Sequence, residues 1–453
     1  MMAKTSLLTE YVNNLCGQVQ QEYTIDSKYY TGDAIKRGLR NADGTGVLAG
    51  VTHIGSAQGY VVEDGQRQPI PGHLYYRGID VNDIVENHQT NGTYGYEEVA
   101  YLLLFGNLPN KEQFELFNGI LSYVRKLPLG FFEDMILKAP SNNIMNKLER
   151  SILALYSYDD NPDDISIENM MRQSIELIAR FPVIVANAYA VKRHHYDEKS
   201  LYIHKPKQEL SLSENFLRML RKDKQYTQEE AHMLDLMLIL HAEHGGGNNS
   251  AFACRTVSSS GTDTYSAIAA AVGSLKGPLH GGANAKVMEM FADIKEHVSD
   301  TKDDDAIAAY LGKILDGEAG DRSGKIYGLG HAVYTVSDPR AVLLKKYAHD
   351  MAREKGREDD FLVMEAVERL GIPMVKERTK RELPMCANVD MYSGLVYSML
   401  GIPEELYTPL FATARIAGWC AHRMEEVISG NRIIRPAYRA AMKKISYTNI
   451  NDR

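Results

Sequence analysis

Apolar residues recur at helical spacing through nearly the whole chain after residue 95, and this limits the fold more than any other feature. Segments such as YGYEEVAYLLLFG, KEQFELFNGILSYVRKL and NKLERSILALYSY place apolar residues three or four positions apart, as amphipathic helices do. Thr227 and Glu230 form a capping-box pattern before HMLDLMLILHAE, which predicts a helix start. Pro182 interrupts a long apolar run at 167–195 and predicts a kink or a split. The predicted fold class is all-α.

Strand-type patterns are confined to a short N-terminal stretch. AGVTHI at 49–54, GYVVE at 59–63 and HLYY at 73–76 alternate with the turn-prone segment EDGQRQPIPG, which predicts a small sheet or hairpin. Residues 1 to about 45 are predicted to form an irregular or partly helical arm. The sequence therefore indicates a helical fold with a minor β element.

The chain of 453 residues exceeds the usual size of one hydrophobic core, so we expect more than one domain. A charge-rich stretch at 286–392 predicts a small domain inserted into a large helical domain, which comprises 1–285 and 393–453. The two histidine motifs described below would then lie near the boundary, where ligand sites are favoured.

Charge and cysteine usage exclude several classes of function. A net charge of -8, spread along the chain, argues against nucleic acid as a partner. No apolar run approaches the roughly 20 residues that a membrane helix needs, so no membrane partner is expected. Four cysteines far apart in sequence, and a start without the pattern of a secretory signal or transit peptide, predict reduced thiols and a cytoplasmic location.

Two His-Gly motifs flank a segment rich in small residues, HAEHGGGN at 241–248 and GPLHGGAN at 277–284. Glycine permits sharp turns and close ligand approach, so His244 and His280 are candidates for chemistry. His241 and His244 at a helix end are also explained by the helix dipole. They do not have the spacing of a metalloprotease motif, and no third ligand is evident, so no metal site is predicted. His280 precedes a predicted helix, whose N-terminus would lower its pKa and favour the neutral ring.

Three more segments contain candidate residues. Asp338 and Pro339 predict a helix start that fixes Arg340 in the first turn, where it is suited to bind an anion or is simply a surface arginine. Asp390 in ANVDMYSG is either functional or a helix N-cap. Arg415 in the apolar segment FATARIAG needs a partner, which would be a carboxylate ligand or an internal salt bridge.

Together these segments resemble the citrate synthase family. HAEHGGGN, GPLHGGAN, GLGHAVYTVSDPR, NVDMYSG, FATARIAG and IIRPAYR occur in that family's order and approximate spacing. RGIDVNDIV followed by EEVAYLLLFGNLP is similar to its N-terminal signature. The resemblance covers roughly residues 35 to 445, and six motifs in register make chance agreement improbable.

The resemblance implies a helical homodimer that condenses oxaloacetate with acetyl-CoA and hydrolyses citryl-CoA to citrate and CoA. It implies that His280 binds the thioester carbonyl oxygen, that Asp390 removes a methyl proton and that His331 protonates the oxaloacetate carbonyl. It also implies that His244, Arg340 and Arg415 bind oxaloacetate and that Arg435 binds the same ligand across the dimer interface. The CoA adenine would be bound by the loop that contains Lys325, Ile326, Gly328, Leu329 and Gly330.

No permanently bound cofactor is expected, since acetyl-CoA is a co-substrate. The nearest alternative is a 2-methylcitrate synthase that uses propionyl-CoA through the same residues, because one methylene is worth only about 1–3 kcal/mol in a binding pocket. A non-catalytic acyl-CoA-binding scaffold and a metal-dependent hydrolase at His241 and His244 are the alternatives from other classes.

Overall fold

The computed structural model describes residues 23–30, 35–41, 44–63, 66–430 and 432–453, together with positions 9, 12, 13 and 16. The chain divides into two compact units: Gly50–Ile434 forms one, and Met1–Ala49 joins Arg435–Arg453 to form the other. The division into 1–285, 286–392 and 393–453 stays a prediction. The predicted N-terminal arm lies largely outside the described residues, which contain short 3₁₀ turns at Ser27–Tyr30 and Arg37–Leu39.

The larger unit is mainly helical, as predicted. Periodic apolar faces pack together into one extensive core, as amphipathic helices require. The α-helices are α1 Val81–Asn91, α2 Tyr96–Phe105, α3 Lys111–Val124, α4 Ile144–Leu155, α5 Ile167–Tyr196, α6 Leu212–Leu220, α7 Gln228–His241, α8 Asn249–Ser258, α9 Thr264–Lys276, α10 Pro278–Gly281, α11 Ala283–His297, α12 Asp304–Asp316, α13 Pro339–Glu354, α14 Glu358–Thr379, α15 Asp390–Met399 and α16 Tyr407–Ser429. A π-helical turn, Phe132–Leu137, precedes α4.

Two sequence signals for helix boundaries have different outcomes. The capping box at Thr227 is confirmed, because its side chain accepts from Glu230 N and the Glu230 side chain accepts from Thr227 N. Of the two outcomes predicted for Pro182, a split is wrong, since α5 continues through it, and a kink stays a prediction. Proline costs about 3 kcal/mol inside a helix, and burial of the apolar residues on both sides offsets this loss.

By length and composition, helix α5 could cross a membrane. The sequence analysis predicted no apolar run of that kind. Its most apolar window is 83% buried against the rest of the protein, as in the core helix of a globular protein.

The β element is a three-stranded antiparallel sheet in the order β1 (Gly55–Glu63), β2 (Gln66–Tyr76) and β3 (Ile79–Asp80). The predicted strand at 49–54 is wrong, and much of the predicted turn segment belongs to β2. The prolines in this segment led to the prediction of a turn. Pro69 and Pro71 lie in the part of β2 that pairs with β1 alone. An edge position tolerates the missing N–H donor.

Helix α16 lies at the centre of the larger unit, packed against α2, α5, α7, α8 and α9. Its buried residues include Trp419 but also Arg415, His422 and Arg423, each at most 1% exposed. Buried polar groups need hydrogen-bond partners, and several partners come from the turn that follows α7.

Candidate active site

A tight turn between α7 and α8 presents His244. Gly245 has φ +82°, a left-handed conformation that favours glycine, and its N–H donates to the Glu243 carboxylate two residues earlier. Asn248 caps α8 by accepting from Ala251 N. The His244 ring lies 5.1 Å from the His331 ring, measured between centroids. The turn thus places one candidate histidine against another that is distant in sequence.

Main-chain amides hold His331 in one tautomer. Its Nδ1 accepts hydrogen bonds from Val333 N at 3.0 Å and Tyr334 N at 3.2 Å. Because an amide offers only a hydrogen, Nδ1 must present a lone pair, and the ring proton lies on Nε2. Burial, then the charge of Arg340, lowers the pKa of His331 to about 4. His331 is therefore a neutral donor near pH 7.

The β-hairpin supports this loop from behind. Gly72 N donates to Ser337 O at 3.1 Å, and Gly59 packs against the main chain of Val333. A side chain at Gly59 or Gly72 would overlap the backbone of the loop, so glycine is required for the close approach. The sheet therefore has a role in positioning the candidate site.

His280 is also held as a neutral donor, in the short helix α10. Its Nε2 accepts from Ser250 N at 3.3 Å and lies 3.0 Å from Ser250 Oγ, which in turn accepts from Trp419 Nε1 at 3.1 Å. The proton is thereby assigned to Nδ1. Burial, then Arg415, lowers the pKa of His280 to about 4. The predicted direction is confirmed, but the neighbouring helix N-terminus is that of α8 rather than that of the helix which follows His280.

Asp338 and Arg340 form a buried ion pair at the start of α13. Asp338 accepts from Arg340 N at 3.0 Å, and also from Nε at 3.0 Å and Nη2 at 2.7 Å. The predicted N-cap is thus confirmed. Arg340 is only 4% exposed, so the alternative of a surface arginine is wrong. The ion pair anchors the guanidinium.

Arg415 lies buried on α16 with part of its guanidinium unused. Its Nε donates to His241 O at 2.6 Å, and the group lies over the Phe411 ring at 4.7 Å. Nη2 has no hydrogen-bond partner among the described residues, and Arg415 forms no ion pair with them, so the internal salt-bridge alternative is wrong. Burial lowers the pKa of Arg415 to about 10. A buried donor without a partner is costly and is suited to an anionic ligand.

Asp390 is the first residue of α15 and is half-buried. It is not the N-cap, so that alternative is wrong; its own N–H donates to Asn388 Oδ1 at 3.0 Å. Its carboxylate makes no hydrogen bond or ion pair with the described residues. Burial raises the pKa of Asp390 to about 6, although Arg340 opposes the rise and Asp338 adds to it. This carboxylate is available to accept a proton.

The loop 325–330 is paired with the segment immediately before Asp390. Gly330 N donates to Cys386 O at 2.8 Å, and Asn388 N donates to Gly328 O at 2.9 Å. Asn388 Nδ2 also donates to Gly330 O at 2.9 Å. Within the loop, Lys325 is exposed, Ile326 is buried and Leu329 is half-buried. The predicted nucleotide-binding loop and the predicted base thus belong to one hydrogen-bonded structure.

The two guanidinium groups connect the candidates electrostatically. Arg340 acts on the pKa of His244, His331 and Asp390, and Arg415 acts on that of His244 and His280. These residues therefore share one electrostatic environment.

Two further residues were singled out from the sequence, Arg435 and His241. Arg435 is exposed and belongs to the unit formed by Met1–Ala49 and Arg435–Arg453. His241 is buried, donates from Nδ1 to Met237 O at 2.7 Å and packs against Phe411, whereas His244 contacts Tyr334. Within the described residues, no group of three or more His, Cys, Asp or Glu side chains is arranged to hold a metal ion.

Two neutral imidazole donors, a carboxylate of raised pKa and two buried guanidiniums suit proton transfer at a carbonyl compound that carries carboxylates. A mainly helical fold with such a site defines a class of condensing enzyme of the acyltransferase type. The family model "Citrate synthase, C-terminal domain" matches residues 44–437. The chain belongs to the citrate synthase family.

Relatives include enzymes of two specificities. The chain is 35% identical to a citrate synthase of Deinococcus radiodurans over 84% of this chain and 93% of that one. It is 32% identical to a 2-methylcitrate synthase of Shewanella oneidensis over 80% of this chain and 87% of that one. A solved citrate synthase of Thermoplasma acidophilum, in ternary complex with carboxymethyl coenzyme A and oxaloacetate, has a TM-score of 0.74 and 26% identity, covering 93% of this chain and all of that one.

Sequence reasoning missed residues that act through others. Ser250 orients His280, and the hairpin glycines support the loop that carries His331. Glu243 and His422 form a buried hydrogen bond at 2.9 Å. The polar His422 within the apolar segment IAGWCAH was a signal as strong as that of Arg415. The hairpin contacts join residues too distant in sequence for a local pattern to reveal them.

Proposed function

We propose that this protein is a citrate synthase that condenses oxaloacetate with acetyl-CoA and hydrolyses the resulting citryl-CoA to citrate and CoA. One observation carries the proposal: two imidazoles, each fixed as a neutral donor by main-chain amides, share an environment with a carboxylate whose pKa is raised to about 6. Deprotonation next to a thioester requires a base together with a donor at the carbonyl oxygen.

In the first step, Asp390 removes a proton from the methyl group of acetyl-CoA. The electron pair of the C–H bond forms the enol(ate) double bond, and charge develops on the thioester oxygen. The Nδ1–H of His280 donates to that oxygen and stabilises the developing charge. A carboxylate with a pKa near 6 is a stronger base than an ordinary aspartate and stays largely ionised at pH 7.

In the second step, the enol carbon attacks the ketone carbon of oxaloacetate and forms the new C–C bond. The ketone π electrons move to oxygen, which takes the Nε2 proton of His331. Arg340, Arg415 and His244 bind the two carboxylates of oxaloacetate, and Nη2 of Arg415 supplies a donor that has no other partner among the described residues. Water then adds to the thioester carbonyl as hydroxide and gives its other proton to His331, which restores the ring. The C–S bond breaks, and the CoA thiolate takes the proton held by Asp390, so that citrate and the CoA thiol are released.

Two further features belong to this proposal. The main chain of Lys325–Gly330 binds the CoA adenine, and a homodimer supplies Arg435 to the site of its partner. The resemblance of IIRPAYR to the family motif supports the second point. The protein is proposed to act in the cytoplasm without a resident cofactor.

The test is release of free thiol from acetyl-CoA, followed with a thiol reagent after addition of oxaloacetate. We expect rapid release that depends on oxaloacetate and yields citrate in equal amount. Absence of release, with both ligands still bound, would favour a non-catalytic scaffold and refute the proposal. Activity that disappears on chelation would instead favour the metal-dependent hydrolase.

The second candidate is a 2-methylcitrate synthase, favoured by the relative of that name at 32% identity. Propionyl-CoA would pass through the same steps, with the proton taken from its methylene carbon. The ratio of kcat/KM for acetyl-CoA to that for propionyl-CoA decides between the two, and we expect acetyl-CoA to be preferred.

A further inference from the structure

A fully buried carboxylate, that of Glu243, lies next to His244 without an assigned role. Glu243 is 0% exposed, and its Oε1 accepts a hydrogen bond from Gly245 N. This hydrogen bond links the residues on either side of His244 and closes a short hydrogen-bonded ring that includes the His244 main chain. A buried charge is retained at considerable cost unless it is paired, so its surroundings need an explanation.

The partner of Glu243 is a histidine whose protonation is fixed from the other side. His422 Nδ1 faces Arg255 Nε at 3.1 Å and Arg255 Nη2 at 2.8 Å. A guanidinium has only donors, so Nδ1 accepts and the ring proton lies on Nε2. That proton is donated to Glu243 Oε1 at 2.9 Å. The hydrogen bonds thus run in one direction, from Arg255 through His422 to Glu243.

Neighbouring residues confine both ends of this hydrogen-bonded series from Arg255 to Glu243. Gly55 and Gly418 approach Glu243 so closely that a methyl group at either position would overlap its side chain. At the other end, Arg255 forms ion pairs with Glu425 and Glu426. The glycines and acidic partners leave Glu243 and His422 little room to adopt another arrangement.

We infer that Glu243, His422 and Arg255 form a positioning relay that holds His244 in place for the dicarboxylate substrate. The relay touches no reacting atom; it acts through the Gly245 amide and the turn that carries His244. The inference rests on the proposed function, because it assigns His244 to the oxaloacetate site. The charge of Glu243 also acts on Arg415, another group proposed to bind that ligand.

The experiment compares two substitutions of His422. His422→Leu removes the donor to Glu243, and we expect the KM for oxaloacetate to rise about tenfold or more, since a hydrogen bond to a charged group is lost. His422→Gln keeps an N–H donor near the Nε2 position, and we expect its KM to stay within about threefold of wild type. The KM for acetyl-CoA at saturating oxaloacetate should not change in either variant.

A control breaks another histidine–glutamate pair, in which the histidine is buried and the glutamate is half-buried. His88 is 6% exposed, and its Nε2 lies 2.8 Å from Glu98 Oε2, on helix α1 outside the candidate site. His88→Leu should lower thermal stability as His422→Leu does, yet leave the KM for oxaloacetate unchanged. Glu243→Gln keeps the shape of the side chain and provides a second test if His422→Leu does not fold; its KM for oxaloacetate should also rise.

Calorimetric titration with oxaloacetate, which needs no turnover, separates the possible failures. Wild-type protein that binds oxaloacetate but releases no thiol refutes the proposed reaction, and the binding constants of the variants then decide the inference. Variants of His422 and Glu243 that bind oxaloacetate as wild type does overturn the relay. Equal changes for oxaloacetate and acetyl-CoA, or the same change in His88→Leu, also overturn it by indicating a general structural effect.

Discussion

Asp338 and Asp390 are two carboxylates under the influence of one guanidinium, and the protein treats them oppositely. Asp338 accepts three hydrogen bonds from Arg340, whose charge outweighs burial and lowers the pKa of Asp338. Asp390 has no such bond, and burial raises its pKa to about 6. The direct ion pair makes one carboxylate structural, while its absence leaves the other able to exchange a proton.

The strongest test of this contrast removes the proposed base. We expect Asp390→Ala to lower the rate of thiol release by about 10³-fold, because general-base catalysis contributes about 10²–10⁴-fold. Circular dichroism should show a wild-type fold. Undiminished thiol release in this variant would eliminate Asp390 as the base.

The second test breaks the structural pair. Asp338→Asn leaves the Arg340 guanidinium buried without its counter-ion, so we expect the free energy of unfolding at pH 7 to fall by about 3–5 kcal/mol. Denaturant titration measures this change. The lowered pKa of Asp338 means that its stabilisation is present above the unfolded pKa and is lost as pH falls through the lower folded value. A loss below about 1 kcal/mol would contradict the structural role.

The contribution of Asp390 to the pH dependence of stability should have the opposite sign to that of Asp338. Between its unfolded pKa and about 6, the folded protein binds more protons than the unfolded chain, so stability decreases as pH rises through this window. Asp390→Asn should therefore raise the free energy of unfolding by about 1–2 kcal/mol above pH 6, which is less than the shift alone implies because the group is half-buried. Equal stability of the variant and wild type at pH 7 would contradict the raised pKa.

The smallest effect links the two carboxylates. The kcat/KM for acetyl-CoA should rise with pH and level off above about 6, as Asp390 becomes ionised. Since the negative charge of Asp338 raises the pKa of Asp390, the inflection should move to lower pH in Asp338→Asn. An unmoved inflection in a folded variant would show that the two carboxylates are independent.

The sequence predicted what depends on local pattern. Helical periodicity gave the fold class, the Asp–Pro signal gave the start of α13 with Asp338 as its cap, and the motifs gave the candidate residues. Burial was harder to predict, because the sequence of a helix start does not show what packs against it. A surface position for Arg340 was therefore left open. Asp390 was mistaken for a possible cap because Asn388, two residues earlier, is the group that accepts its N–H.

Contacts between distant segments account for the rest. The strand β2 was partly hidden by its prolines, and its support of the loop at 333–337 depends on the close approach of Gly59 and Gly72. The hydrogen bond between Glu243 and His422 joins residues that are 179 positions apart in sequence. Such contacts become visible only when the helices are packed together.

Main-chain amides donate to the acceptor nitrogens of both His280 and His331. A scan that replaces side chains one at a time would identify the two histidines but not the amides that set their tautomers. Replacing a single amide by an ester, which removes the N–H and keeps every side chain, would show how far that amide determines the tautomer of the ring. Which ring nitrogen of each histidine carries the proton therefore depends on the course of the main chain.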